Sequence, residues 1–139
     1  MARAAQTCTD KNVRLTDQRK DVLACVAASH AAVGAYEIIE RMASTGPKPA
    51  PITVYRALDF LLLQNLIHKV ESKNAFVACA RAHENSAATL LICESCGNVD
   101  EVVQPTTQDE LLKLAKEQGF KLNRAVIELS GICSQCANV

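Results

Sequence analysis

The sequence predicts an α+β chain in two parts, an N-terminal winged helix followed by a small α/β domain built around four cysteines. Three observations carry that expectation. The stretch from Pro51 to Cys79, PITVYRALDFLLLQNLIHKVESKNAFVAC, opens with apolar residues at helical spacing and closes with two short alternating runs around a polar ESKN, so a helix runs straight into a hairpin. Two C-x-x-C pairs, Cys93/Cys96 and Cys133/Cys136, stand 36 residues apart. Charge is also unevenly divided. Residues 1–79 hold ten Lys or Arg against seven acids, and residues 80–139 hold five against eight, although the formal net charge is zero.

In chain order, residues 1–12 are small and polar and read as frayed or as a short helix, with Cys8 lacking a sequence partner. From Thr16, TDQRKDVLACVAAS has a cap, an acid in the first turn and Val22, Leu23 and Val26 on one face, which predicts a helix ending near Ser29. Cys25 beside that face reads as an inert core thiol. Gly34 opens a second helix, AYEIIERMAS, with Ile38, Ile39 and Met42 as its stripe and Tyr36 well outside it. TGPKPAP cannot continue a helix and forms a loop. In the next helix, capped by Thr53, Val54, Leu58 and Leu61 share one face and Arg56, Asp59 and Leu63 the other. Arg56 therefore points outward near the helix start. Leu66–Val70 and Ala75–Cys79 form the wing hairpin with its tip at Ser72–Asn74, an arrangement in which the helix can enter a DNA major groove while the tip lies along the backbone.

ARAHENSA is polar and without periodicity and reads as a hinge. ATLLIC then reads as a strand, CESCG as a tight knuckle and NVDEVVQ as a second strand. Thr106 with Asp109 resembles a capping box for a helix bearing Leu111, Leu112 and Leu114 and ending at Gly119. FKLNRAVIELSGIC reads as a long final strand that delivers the second knuckle. The expected organisation is a winged-helix DNA-binding domain over 1–79, a hinge over 80–87 and an α/β dimerisation and zinc-binding domain over 88–139. A second copy would cover its strand edges and apolar helix face.

A chain of 139 residues fits one large domain or two small ones, and halves this small need a metal, disulfides or a partner subunit. No long apolar run follows the basic N-terminal residues, so neither secretion nor membrane insertion is supported and a cytoplasmic location is expected. Seven cysteines in a reducing compartment are metal ligands or buried thiols rather than disulfides. The two C-x-x-C pairs suit a closed four-thiolate structural zinc site. A redox couple is the alternative, but it leaves the second pair unexplained, and no general base, phosphate loop or substrate signature points to an enzyme. A basic first part and an acidic second part fit a DNA-reading domain joined to a self-associating one, although a difference of a few charges also arises by chance.

A second constellation gathers at the wing. His68 and Cys79 stand at the base of the hairpin, where antiparallel pairing brings them within about one pairing step of each other. Glu101 lies on the strand after the first knuckle. A lone strand His or Cys is ordinarily just packed.

TVYRALDFLL followed by HKVES-N-FV-C resembles the DNA-binding domain of the ferric uptake regulator family, specifically its zinc uptake regulator branch. With the cysteine pairs, the resemblance spans about Val13 to Cys136. Ile52 stands where these relatives often carry a second proline, a change expected to alter the loop little. The resemblance implies a regulatory zinc on His68, Cys79 and Glu101, with a fourth ligand from the hinge. Relatives often place that ligand where this chain has Ser86, so His83, with Glu84 as fallback, takes the role. A thiolate with imidazoles suits zinc, whereas iron or manganese favours carboxylates and imidazoles. The resemblance also implies DNA contacts from Tyr36, Thr53 and Arg56. The implied function is a zinc-responsive transcriptional repressor that acts as a homodimer on operators of zinc-uptake genes, with two zinc ions per chain. A family sensor of iron, manganese, nickel or peroxide is the alternative.

Overall fold

The structure, a computed structural model, describes residues 1–79, 89–123 and 125–138. The chain divides into two units, Met1–Ala82 and His83–Val139.

The first unit is a winged helix preceded by an extra helix. Helix α1 (Ala2–Asp10) takes the helical alternative for the N-terminal segment and turns Ala4 and Cys8, one helical turn apart, into the core. Cys8 is only 2% exposed, and burial pushes its thiol pKa up. Helix α2 (Asp17–Ala27) starts where expected, with the Thr16 hydroxyl accepting the Arg19 N–H. Helix α3 (Ala35–Thr45) follows Gly34. Helix α4 (Pro51–Leu63) buries Val54, Ala57, Leu58 and Leu61 and runs into β1 (Ile67–Val70) and β2 (Ala75–Ala78), an antiparallel pair. Val33 exchanges two backbone hydrogen bonds of 2.8 Å with Phe76, which docks the wing on the segment between α2 and α3.

Packing explains why these pieces hold. Val22, Val26, Ile38, Val54, Leu58, Leu61 and Ile67 are essentially inaccessible and form one cluster. Each such side chain contributes about 1.5–3 kcal/mol by leaving water. Cys25 is only half-buried, packed against that cluster rather than inside it, and burial raises its thiol pKa. The Arg19 guanidinium lies 3.7 Å from the Phe60 ring centroid, a cation–π contact joining α2 to α4.

Helix ends follow local rules. After α1 and α4 the chain turns through Asn12 and Asn65 with φ of 54° and 58°. At each end paired backbone bonds close the last turn, Val13 N–H to Cys8 O (2.9 Å) with Asn12 N–H to Thr9 O (3.0 Å), and Leu66 N–H to Leu61 O with Asn65 N–H to Leu62 O (both 3.0 Å). Asparagine tolerates this left-handed conformation better than most residues. The second of these turns redirects the chain from α4 into the wing.

The helix starts differ from expectation at two points. Thr53 does not cap α4: the helix begins at Pro51 after Ala50, whose carbonyl accepts the Thr53 N–H at 3.0 Å. Thr106 likewise lies inside α5 (Pro105–Glu117), which begins after Gln104 with no side-chain cap. In both cases proline takes the first helical position, because its fixed φ suits that turn and its missing N–H needs no partner there. Ile52 consequently sits in a helical turn rather than in a loop.

The second unit is a three-stranded sheet in the order β4-β3-β5, with β3 (Thr89–Cys93) antiparallel to β4 (Val99–Val102) and parallel to β5 (Ile127–Gly131). The long final strand is shorter than expected. All five residues of β5 pair with the five of β3, and the ladder ends with its neighbour. Helix α5 ends as predicted at Gly119 (φ 67°), where Phe120 N–H reaches Ala115 O at 2.9 Å. A short helix, α6 (Ser134–Ala137), follows β5. Leu90, Ile92 and Cys93 are buried, whereas α5 has no buried residue and Leu111, Leu112, Leu114, Phe120, Leu129 and Ile132 are exposed.

Candidate metal centre and nucleic-acid interface

The two cysteine pairs meet because β3 and β5 run parallel as neighbours. Cys93 pairs with Gly131 at the end of that ladder, and the Glu94 N–H reaches Gly131 O at 2.8 Å, so both strands leave the sheet at the same end. After β3 the chain turns through Gly97 (φ 79°), with Gly97 N–H on Cys93 O and Cys93 N–H on Asn98 O. After β5, Cys133 caps the turn that becomes α6 and accepts the Cys136 and Ala137 N–H groups.

The result is four sulfurs, those of Cys93, Cys96, Cys133 and Cys136, all within 4.8 Å of one another. Cys96 Sγ lies 3.8 Å from Cys133 Sγ. Tetrahedral bonds of ~2.3 Å to a central zinc require sulfur–sulfur separations of about 3.8 Å, so the donor set fits such an ion. The backbone prepares one thiolate: the Cys96 N–H (3.5 Å) and Cys133 N–H (3.3 Å) both point at Cys93 Sγ and lower its pKa to about 6. Cys136 goes the other way. A hydrogen bond with Ser95 lowers its pKa, but the neighbouring Cys133 thiol and burial outweigh that and push it up to about 11. Packed thiolates repel, and a divalent cation is what lets all four ionise together.

In the first unit, the hairpin register pairs Ile67 with Ala78 and His68 with Val77. Cys79 extends the ladder by donating its N–H to Leu66 O at 2.9 Å. Residues 77 and 79 share a face, so Cys79 is the diagonal neighbour of His68, and Cys79 Sγ lies within 4.8 Å of a His68 ring nitrogen. Cys79 is 4% exposed and His68 half-buried. The Arg3 guanidinium donates to the Cys79 carbonyl, which ties α1 to the base of the wing. Sequence reasoning missed this link. Its only signal was the apolar pair Ala4 and Cys8, which turns α1 onto the core. In the second unit Glu101 sits on β4 opposite Leu90 and is half-buried. His83, Glu84 and Ser86 lie outside the described residues.

The candidate nucleic-acid contacts occupy the first unit. Arg56 is exposed on the outer face of α4, and among the described residues it forms no ion pair with Asp59, three residues on. Tyr36, the second residue of α3, is 75% exposed. Thr53 is half-buried in the first turn of α4. Ile52 and Tyr55 join Arg56 on the outer face, two exposed apolar residues that were not singled out for contact from the sequence.

Comparison with known proteins bears on these features. Residues 10–130 match the ferric uptake regulator family. The zinc uptake regulation protein of Escherichia coli K12 is 39% identical over 140 residues, which cover all of this chain and 82% of that protein. A solved zinc uptake regulator complexed with zinc and DNA superposes with a TM-score of 0.93 at 39% identity, covering 99% of this chain and 92% of that one. Holo XcZur gives 0.91 at 36% identity, covering 99% and 96%.

Proposed function

The chain belongs to the ferric uptake regulator family, and on that premise we propose that it is a zinc-responsive transcriptional repressor, which binds operator DNA as a zinc-loaded homodimer and shuts off zinc-uptake genes. The observation that carries the zinc assignment is the buried Cys79 thiol beside the His68 imidazole at the base of the wing. Sulfur with imidazole favours zinc over iron or manganese.

Two zinc ions per chain follow from two donor sets. Cys93, Cys96, Cys133 and Cys136 hold a structural ion, which leaves no open position for chemistry. His68, Cys79 and Glu101 hold a regulatory one, with His83 as the fourth ligand and Glu84 as its fallback. A set drawn from the wing, the hinge and the second unit is complete in only one arrangement of those parts. Zinc then favours that arrangement by its differential affinity, and the favoured arrangement is the one that reads DNA. The exposed leucines of α5, with Phe120, Leu129 and Ile132, supply the apolar surface that a second copy would cover.

The test is a gel-shift titration on genomic operator DNA with zinc, iron or a chelator. Zinc should produce the shifted complex, chelator should abolish it, and a complex that forms with iron but not zinc would move the protein to another branch.

Arg56 supplies a sharper check. An arginine near the start of a recognition helix can donate bidentately to guanine O6 and N7. Arg56→Ala should therefore cost roughly 1–3 kcal/mol on operator DNA and relax preference at one position. Measured at fixed salt and saturating zinc, equal weakening on operator and scrambled duplexes would make Arg56 a phosphate contact. Tyr36 would supply a second base or backbone contact.

A further inference from the structure

We infer that Ile52 is a specificity-determining residue that reads the 5-methyl group of an operator thymine; the inference rests on the DNA-binding role proposed above. Ile52 is the second residue of α4 and is 58% exposed. With about 100° per residue, the buried Val54, Ala57, Leu58 and Leu61 centre roughly 190° away from it, so Ile52 points directly away from the core. Arg56 lies one turn on, about 40° round the same face, and Tyr55 about 60° to the other side. The three form the outer surface of the first two turns.

A single exposed aliphatic residue is ordinary on any protein. This one is β-branched, at a small cost in helix propensity, and it stands in the first turn of a helix whose outer face carries a base-reading arginine. Side chains on a helix lean toward its N-terminus, so Ile52 reaches ahead of Arg56. The major groove offers one apolar group on its base edges, the thymine methyl. Four residues of helix rise cover about 6 Å, or about two base-pair steps of 3.4 Å. For a helix lying along the groove, the thymine should therefore lie about two base pairs from the guanine that Arg56 reads.

Uracil isolates the contact, since it differs from thymine only by that methyl. The probe is a duplex selected from a random library by the zinc-loaded full chain, then remade with uracil at each thymine in turn. Burying one methyl is equivalent to about fourfold in affinity. Wild type should lose about fourfold per half-site at one thymine, about two base pairs from the position at which Arg56→Ala relaxes preference. Ile52→Ala should be indifferent to uracil there, and Ile52→Val should keep part of the discrimination. All three proteins should carry equal zinc and equal helicity. Equal binding of thymine and uracil duplexes by wild type at every position would overturn the inference while leaving the repressor reading intact. Unchanged uracil sensitivity in Ile52→Ala would also overturn it, by assigning the methyl to another side chain. If zinc-loaded protein retains no duplex at all, the repressor reading falls and the inference falls with it.

Discussion

Cys96→Ser is expected to strip the second unit of the structural zinc proposed for its four cysteines and of its fold. Among the described residues that unit buries only Leu90, Ile92 and Cys93, and two aliphatic side chains contribute about 1.5–3 kcal/mol each. That cannot offset the ordering of a three-stranded sheet and two helices, each residue of which costs about 1–2 kcal/mol in backbone entropy. A closed four-cysteine zinc site contributes ~10–16 kcal/mol at neutral pH, the only term here of sufficient size besides a partner subunit. Because Cys96 is exposed, serine costs little packing, and the loss can be assigned to the metal. The measurements are zinc per chain after gel filtration with a mild chelator, circular dichroism, and sedimentation velocity. We expect one fewer zinc, loss of strand signal and dissociation to monomers, while the helical core of the first unit survives. A variant that keeps both its zinc content and its dimer would remove the structural role of the four sulfurs.

Cys79→Ser should leave the fold standing and remove the response to zinc. Serine nearly matches the thiol in volume, and the Cys79 N–H bond to Leu66 O and the Arg3 contact to its carbonyl involve backbone atoms that the substitution keeps. What disappears is the thiolate, the ligand proposed above to set the preference for zinc. Removing even an outer partner of a metal ligand costs roughly 10–100-fold in affinity, so losing the ligand itself should cost on the order of 100-fold or more. Zinc-dependent operator binding should weaken accordingly, with one zinc per chain, at the four cysteines, still resisting chelation. Cobalt substitution adds a spectroscopic readout. In the variant the thiolate-to-cobalt absorption of the weaker site should vanish while that of the four-cysteine site persists. Unchanged zinc-dependent DNA binding would take Cys79 out of the regulatory set. The two variants thus separate the sites, because Cys96→Ser acts on folding and Cys79→Ser on signalling.

Much of the first unit was legible from local pattern. The face of α4 that carries Val54, Leu58 and Leu61 inward and Arg56 and Leu63 outward follows from helical periodicity and is found as read. The Thr16 cap and the Gly119 terminus also depend only on residues within a few positions of one another. The neighbourhood of His68 and Cys79 was readable for the same reason, since a short hairpin limits its own register. The errors are local too. Thr53 and Thr106 suit a cap by residue type, but each stands one or two residues after a proline, and proline is well suited to the first helical position.

By itself the sequence determined most of the elements, the inward faces of the helices in the first unit and the spacing within the two cysteine pairs, because those depend on side-chain type and on spacings of a few residues. Tertiary structure alone decided that Cys93 and Cys133 emerge side by side, since that follows from the parallel register of β3 on β5, two strands more than thirty residues apart. It also decided that β5 stops at the length of its neighbour and that α1 becomes part of the core, with Cys8 buried and Arg3 on the Cys79 carbonyl. Neither strand encodes its partner, and neither Arg3 nor Cys79 encodes the other. Such pairings are selected by the free energy of the assembled core, which exists only once distant segments have met.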